Sequence, residues 1–217
     1  DDQAGRLEIK GHPRLTEVGA WRVEAGAGPR SDIDPATGKP RLYGGFYSQE
    51  TVREIVAYAA ARNIVIVPEV DVPGHPSAAI AAYPELGVTD VPGAAVPEVP
   101  ADWGVYPALF NAEESTVVFF EQVLDEVMDL FPGEYVHIGG DEAVKDQWKA
   151  SPSTQARMRE LGVANEEELQ SWFIGRLEKR LNARDRRLIG WDEILEGGLA
   201  PNATVMSWRG VGGAVEA

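Results

Sequence analysis

Asp141 and Glu142 stand side by side at the end of the apolar run Tyr135–Gly140 in "YVHIGGDEAVKDQW". Adjacent like charges repel, and a desolvated acid resists ionising. Two readings are open. A Gly-Gly turn followed by a solvated acidic helix start needs no chemistry, and the dipeptide alone favours it. Two carboxylates of different reach, one with a raised pKa, are also the usual equipment for breaking a glycosidic bond. Other acids sit at comparable places: Glu69 and Asp71 end "NIVIVPEVD", and Asp192 and Glu193 end "RRLIGWDE". His75 follows in "VPEVDVPGH", where a Pro-Gly turn would lift an imidazole above Asp71. An imidazole near Glu142 would tune that acid's proton affinity. Alternatively, His75 is a capping or surface residue. His137, inside its apolar run, reads as a satisfied core histidine. Trp191 and Trp208, in "GWDE" and "SWRG", are candidates for a flat-walled apolar pocket suited to a sugar, or for core. Trp21, Trp103, Trp148 and Trp172 lack that placement. A metal reading would draw on Asp71, His75, Asp141, Glu142, Asp192 and Glu193. No His-x-His or His-Glu-x-x-His spacing supports it.

The elements that must position these groups alternate. "NIVIVPEVD", "EYVHIGG", "RRLIGWDE" and "ATVMSW" read as strands. "SQETVREIVAYAAARN" reads as a helix capped by Ser48. "EESTVVFFEQVLDEVMDLFPG" carries an apolar stripe and stops at Pro132-Gly133. "NEEELQSWFIGRLEKRLNARD" has acids first and bases last, matching the helix dipole. Apolar strands alternating with helices predict a parallel α/β sheet. Acids at three of the four strand ends favour a barrel, whose C-terminal strand ends converge on one mouth. No glycine-rich phosphate fingerprint follows a strand, which disfavours a dinucleotide fold. The segments 11–45 and 87–111 are Gly/Pro-rich excursions, the first with room for a short hairpin. One domain is expected.

The chain of 217 residues is 44% hydrophobic and 25% charged, an ordinary globular balance. Its formal charge of −15 repels nucleic acid and anionic membrane. No cysteine is present, which excludes thiolate chemistry and disulfides. No apolar run approaches the ~18 residues that span a bilayer.

In order along the chain, "DDQ…LEIK…LTEVGAWR", "YGGFYSQETVREIVAYAAARNI", "VPEVDVPGH", "HIGGDE" and "RLIGWDEILEGGLAPNATVMSWRG" resemble the catalytic barrel of glycoside hydrolase family 20, the β-N-acetylhexosaminidases. The resemblance implies a partial (β/α)8 barrel, a TIM barrel of which about strands 2 to 6 are present, making residues 1–217 a fragment of one catalytic domain. It implies exo-acting removal of terminal β-linked N-acetylhexosamine, GlcNAc or GalNAc, from chitin-derived or glycan ends. The mechanism implied is retaining and substrate-assisted: the substrate's acetamido oxygen attacks the anomeric carbon, an exception to the two-carboxylate scheme. Glu142 matches the acid/base and Asp141 the residue that holds the acetamido N–H. Trp191 and Trp208 match walls of the acetamido pocket. Asp1 and His75 match a relay to the acid/base, and Asp71 a residue below the sugar. No cofactor, metal, nucleic-acid or membrane partner is implied, and an extracellular or periplasmic location is. The strand bearing the family's sugar-gripping Arg, and its late Tyr, Asp, Trp and Glu, have no match here. The isolated piece is therefore expected to fold poorly and turn over little. A non-catalytic sugar-binding barrel and a metal-dependent barrel hydrolase are the competing expectations.

Overall fold

The computed structural model describes residues 2–23 and 33–217. Along the chain these form α1 (Arg14–Glu17), β1 (Trp21–Val23), β2 (Leu42–Gly44), α2 (Gln49–Ala60), α3 (Ser77–Ala82), α4 (Glu114–Leu130), β3 (Tyr135–His137), α5 (Asp146–Ala150), α6 (Pro152–Leu161), α7 (Glu166–Asn182), β4 (Arg187–Trp191), β5 (Thr204–Met206) and α8 (Val211–Glu216). The sheet β3-β4-β5 is parallel, and β1 pairs antiparallel with β2 as a separate hairpin.

The helices form where periodicity and caps agree. Ser48 accepts the Thr51 N–H at the start of α2, and Asn165 accepts the Glu168 N–H at the start of α7. On α4, Val117, Phe120, Val123, Leu124, Val127 and Met128 lie on one buried stripe. On α7, Leu169, Phe173, Ile174, Leu177 and Leu181 do the same. Both stripes pack on Val136, Ile138 and Leu188 of the sheet in one continuous core. Apolar stripes at this spacing are what a sheet-covering helix requires.

The segment 63–71 departs from a regular strand. Only its C-terminal half pairs: His137 N donates to Pro68 O, Val70 N to His137 O and Val72 N to Ile138 O. Ile64, Val65 and Val67 precede the paired half and stay exposed. The pairing still fixes orientation. Val70 and Val72 face the core, while Glu69 and Asp71, two residues apart, share the other face.

Among the described residues no closed barrel forms. The fold is an α/β layer of parallel strands with helices on one side, consistent with part of a barrel. Trp148 is wholly buried and its indole N–H donates to Phe110 O at 2.8 Å, so it is core. Trp172 packs on α7 beside the Arg157 and Arg176 guanidinium groups.

Candidate active site

The acids after β3 are placed by a turn that only glycine accommodates. Gly139 has φ +66°, and a Cβ there would lie 1.8 Å from Asp71 Oδ1. The turn is held from above by Asp71 Oδ1, which accepts the Gly140 N–H at 3.0 Å. It is held from below by buried Gln170 of α7, whose amide donates to Gly140 O at 2.7 Å. Beyond it, Glu142 adopts φ +49°, and His75 adopts φ +48° after its own turn. Left-handed conformations at non-glycine residues cost on the order of 1–3 kcal/mol and cluster where a side chain must be aimed. Here both strained residues aim at each other: His75 Nε2 lies 3.3 Å from Glu142 Oε2 and 3.5 Å from Asp141 Oδ2.

The other side of the imidazole is anchored. His75 Nδ1 lies 2.7 Å from Asp2 Oδ2. Asp2 is fully buried, and its second oxygen accepts both the backbone N–H and the hydroxyl of Ser77. Burial alone would raise Asp2, but the hydrogen bonds from His75 and Ser77 hold its carboxyl below the usual range. His75 is drawn up to about 10, first by Asp141 and then by Asp2, against the opposing effect of burial. Asp71 is pushed up to about 8 by burial and by the charge of Asp141. Burial works against Asp141 too, yet hydrogen bonds led by His75, with a contribution from Asp71, keep it below the usual range. Buried Asp141 Oδ1 has no hydrogen-bond partner among the described residues.

A cleft of about 540 Å³ joins these groups, with Glu69, Asp71, His75, Asp141, Glu142, Trp191 and Trp208 on its walls. Trp191 ends β4, and its indole N–H donates to Glu69 Oε1 at 3.1 Å. Its ring lies 4.7 Å from that of His137. His137 and then the Trp191 N–H hold Glu69 below the usual carboxylate range, although burial opposes them. Trp208, beyond β5, donates from Nε1 to Glu193 Oε2 at 3.0 Å, and its backbone N–H faces Asp192.

The structure therefore brings together Glu142, Asp141, His75, Asp71, Trp191 and Trp208. Four expectations change. Asp1 lies outside the described residues, and the carboxylate bonded to His75 is Asp2; two adjacent acids in "DDQ" left that choice to tertiary structure. Asp192 and Glu193 do not join the mouth. They are buried in a turn after β4, where they bond Trp208 and Arg209. Trp103 is not remote: its loop folds over the strand ends and sets it on the cleft rim. His137 is only half satisfied, since Gly139 N faces its Nδ1 at 3.0 Å while buried Nε2 has no partner among the described residues. Sequence reasoning also missed Glu69 as the anchor of Trp191 and Ser77 as the support of Asp2.

Oxygen and nitrogen atoms of Asp71, His75 and Asp141 lie within 4.8 Å of one another, close enough to hold a cation. To ligate one, the His75 imidazole would first have to give up the proton that Asp141 and Asp2 help it hold.

The C-terminal ends of these parallel strands thus gather a carboxylate pair, an imidazole and two indole rings on one cleft. The chain belongs to the glycosyl hydrolase family 20, catalytic domain, whose profile matches residues 1–217. It is 51% identical over 218 residues to a beta-hexosaminidase of Porphyromonas gingivalis, spanning 100% of this chain and 26% of that protein. It is 40% identical to a beta-hexosaminidase of Vibrio furnissii, over 96% of this chain and 33% of that one. Among solved structures, the Flavobacterium johnsoniae chitobiase superposes with TM-score 0.79 at 36% identity, over 97% of this chain and 28% of that one. A Vibrio harveyi GH20 exo beta-N-acetylglucosaminidase in complex with N-acetylglucosamine gives TM-score 0.78 at 35% identity, over 99% and 33%. The chain thus spans about a quarter to a third of the length of these relatives.

Proposed function

We propose that this chain carries the reaction centre of an exo-acting β-N-acetylhexosaminidase that removes terminal β-linked GlcNAc or GalNAc by a retaining, substrate-assisted route. The observation that carries the reading is the shared imidazole. Asp141 and Glu142 both face His75 Nε2, at 3.5 and 3.3 Å, on the wall of one cleft bordered by two tryptophans.

In this reading Glu142 gives its proton to the glycosidic oxygen as the C1–O bond breaks. The substrate's acetamido oxygen attacks C1 and closes an oxazolinium ring. Asp141, kept ionised by His75, accepts the acetamido N–H and balances the positive charge that the ring acquires. Water then adds at C1 while Glu142 takes back a proton, and the ring reopens with configuration retained. His75, held by Asp2, offers an N–H to Glu142 in the half of the cycle in which that carboxylate is charged. Trp191 and Trp208 wall the space for the acetamido methyl.

The architecture proposed with it is one (β/α)8 domain, of which residues 1–217 are a part covering about strands 2 to 6. The segment 66–72, β3, β4 and β5 would be consecutive staves. The segment's pairing with residues 137 and 138 along one edge, the other edge being open among the described residues, supports this reading, because barrel strands pair on both sides.

The test is Glu142→Gln in the enzyme carrying this segment. Turnover of an N-acetylglucosaminide should fall about 10² or more with substrate affinity kept. Unchanged turnover would remove Glu142 from the acid/base role.

A further inference from the structure

Trp103 has a placement that the chemistry above leaves unused. It is 89% exposed, and among the described residues it makes no ring contact with another aromatic side chain. A tryptophan so little covered gives the fold almost no burial in return for its apolar surface. Its loop is nonetheless held firmly. Asp102 O accepts the Tyr106 hydroxyl at 2.7 Å and the Gln3 side-chain amide at 3.3 Å. The Tyr106 ring lies against Gly104, where a Cβ would meet it at 3.5 Å. These bonds fix the loop and present the indole at the cleft rim.

The same loop reaches both sides of Glu142. Trp103 and Gly104 border the main cleft. Val105 borders a second hollow of about 360 Å³, in which Glu142 is the shared wall and Lys145, Glu196 and Arg209 form a polar side. A proton donor must stand beside the glycosidic oxygen, so the part of the substrate departing with that oxygen lies along Glu142. The segment that lines both hollows at Glu142 is the one that meets it.

We propose that Trp103 is a platform for the leaving-group sugar, stacking its indole on the apolar face of a pyranose joined through the scissile β-linkage. Val105 extends the floor, and Lys145 and Arg209 offer donors to its hydroxyls. The proposal rests on the glycosidase reading and adds to it a binding site on the leaving-group side. No new bond is made or broken there: the departing sugar takes the Glu142 proton and diffuses away.

Two substrates separate the possibilities, a β-1,4-linked disaccharide of N-acetylglucosamine and methyl β-N-acetylglucosaminide, whose methanol leaving group is too small to stack. In the enzyme carrying this segment, Trp103→Ala should lower kcat/KM for the disaccharide about tenfold, mostly through KM. It should leave the methyl glycoside within about twofold. Trp103→Phe should recover most of the loss. Equal losses on both substrates would make Trp103 a structural residue, and no loss on either would make it a bystander. Both results overturn the platform while leaving the glycosidase reading intact. A wild-type enzyme inert on both substrates would overturn the reading beneath it, and the platform with it.

Discussion

Asp2 Oδ2 lies 2.7 Å from His75 Nδ1, joining a buried carboxylate to the imidazole whose far nitrogen faces both candidate catalytic acids. The relation sets protonation across the site. His75 is raised from 6.5 to about 10 and Asp71 from 3.8 to about 8. The folded protein therefore binds more protons than the unfolded chain between these paired values, and both groups make stability fall as pH rises through those windows. Asp2, Asp141 and Glu69 are lowered, so their contribution is present above their ordinary values and is lost on acidification.

For Asp2→Asn the consequence is read in the pH profile. Wild-type kcat/KM should hold through neutrality and decline near pH 8, where Asp71 ionises beside Asp141. Without the Asp2 charge, His75 should lose its proton at lower pH, although Asp141 still holds it up. The alkaline limb should then move acidward and steepen, with kcat reduced by up to about 10² through misplacement of the imidazole. A profile superimposable on wild type would show that Asp2 does not act through His75.

Glu69 acts on the opposite wall. Its Oε1 accepts the Trp191 indole N–H at 3.1 Å and lies 3.3 Å from His137 Nδ1. Removing the acceptor frees the indole to rotate. Glu69→Leu should raise KM for an N-acetylhexosaminide about tenfold with a smaller change in kcat, while Glu69→Gln, which keeps an acceptor oxygen, should stay close to wild type. Kinetics of the pair decide, and equal defects in both variants would mean that the charge of Glu69 matters rather than its hold on Trp191.

Much of this was legible in the residue pattern. α2, α4 and α7 follow apolar stripes bounded by Ser48, Pro132 and Asn165, and β3, β4 and β5 follow their β-branched runs. Strand alternation is also enough to put Glu69 and Asp71 on one face. Partnership was not legible. Whether Asp1 or Asp2 meets His75 depends on where the N-terminal segment lies across α3, a contact separated by 73 residues. Asp192 and Glu193 share the strand-end position of Asp141 and Glu142, yet they enter a 3-10 turn directly after β4, which buries them beneath Trp208. Trp103 sits in a loop with no period to read. The short helix α6 buries only Thr154 and Met158, too few for an apolar stripe to announce it.

The central claim is that Asp141 orients a nucleophile belonging to the substrate while Glu142 moves the proton. It is tested most directly by offering the enzyme matched aryl β-glycosides that differ only at C2, one acetamido and one hydroxyl. The account predicts turnover of the acetamido sugar, slowed in Asp141→Asn, and no measurable turnover of the hydroxyl sugar even by wild type. Comparable cleavage of the two sugars would contradict it.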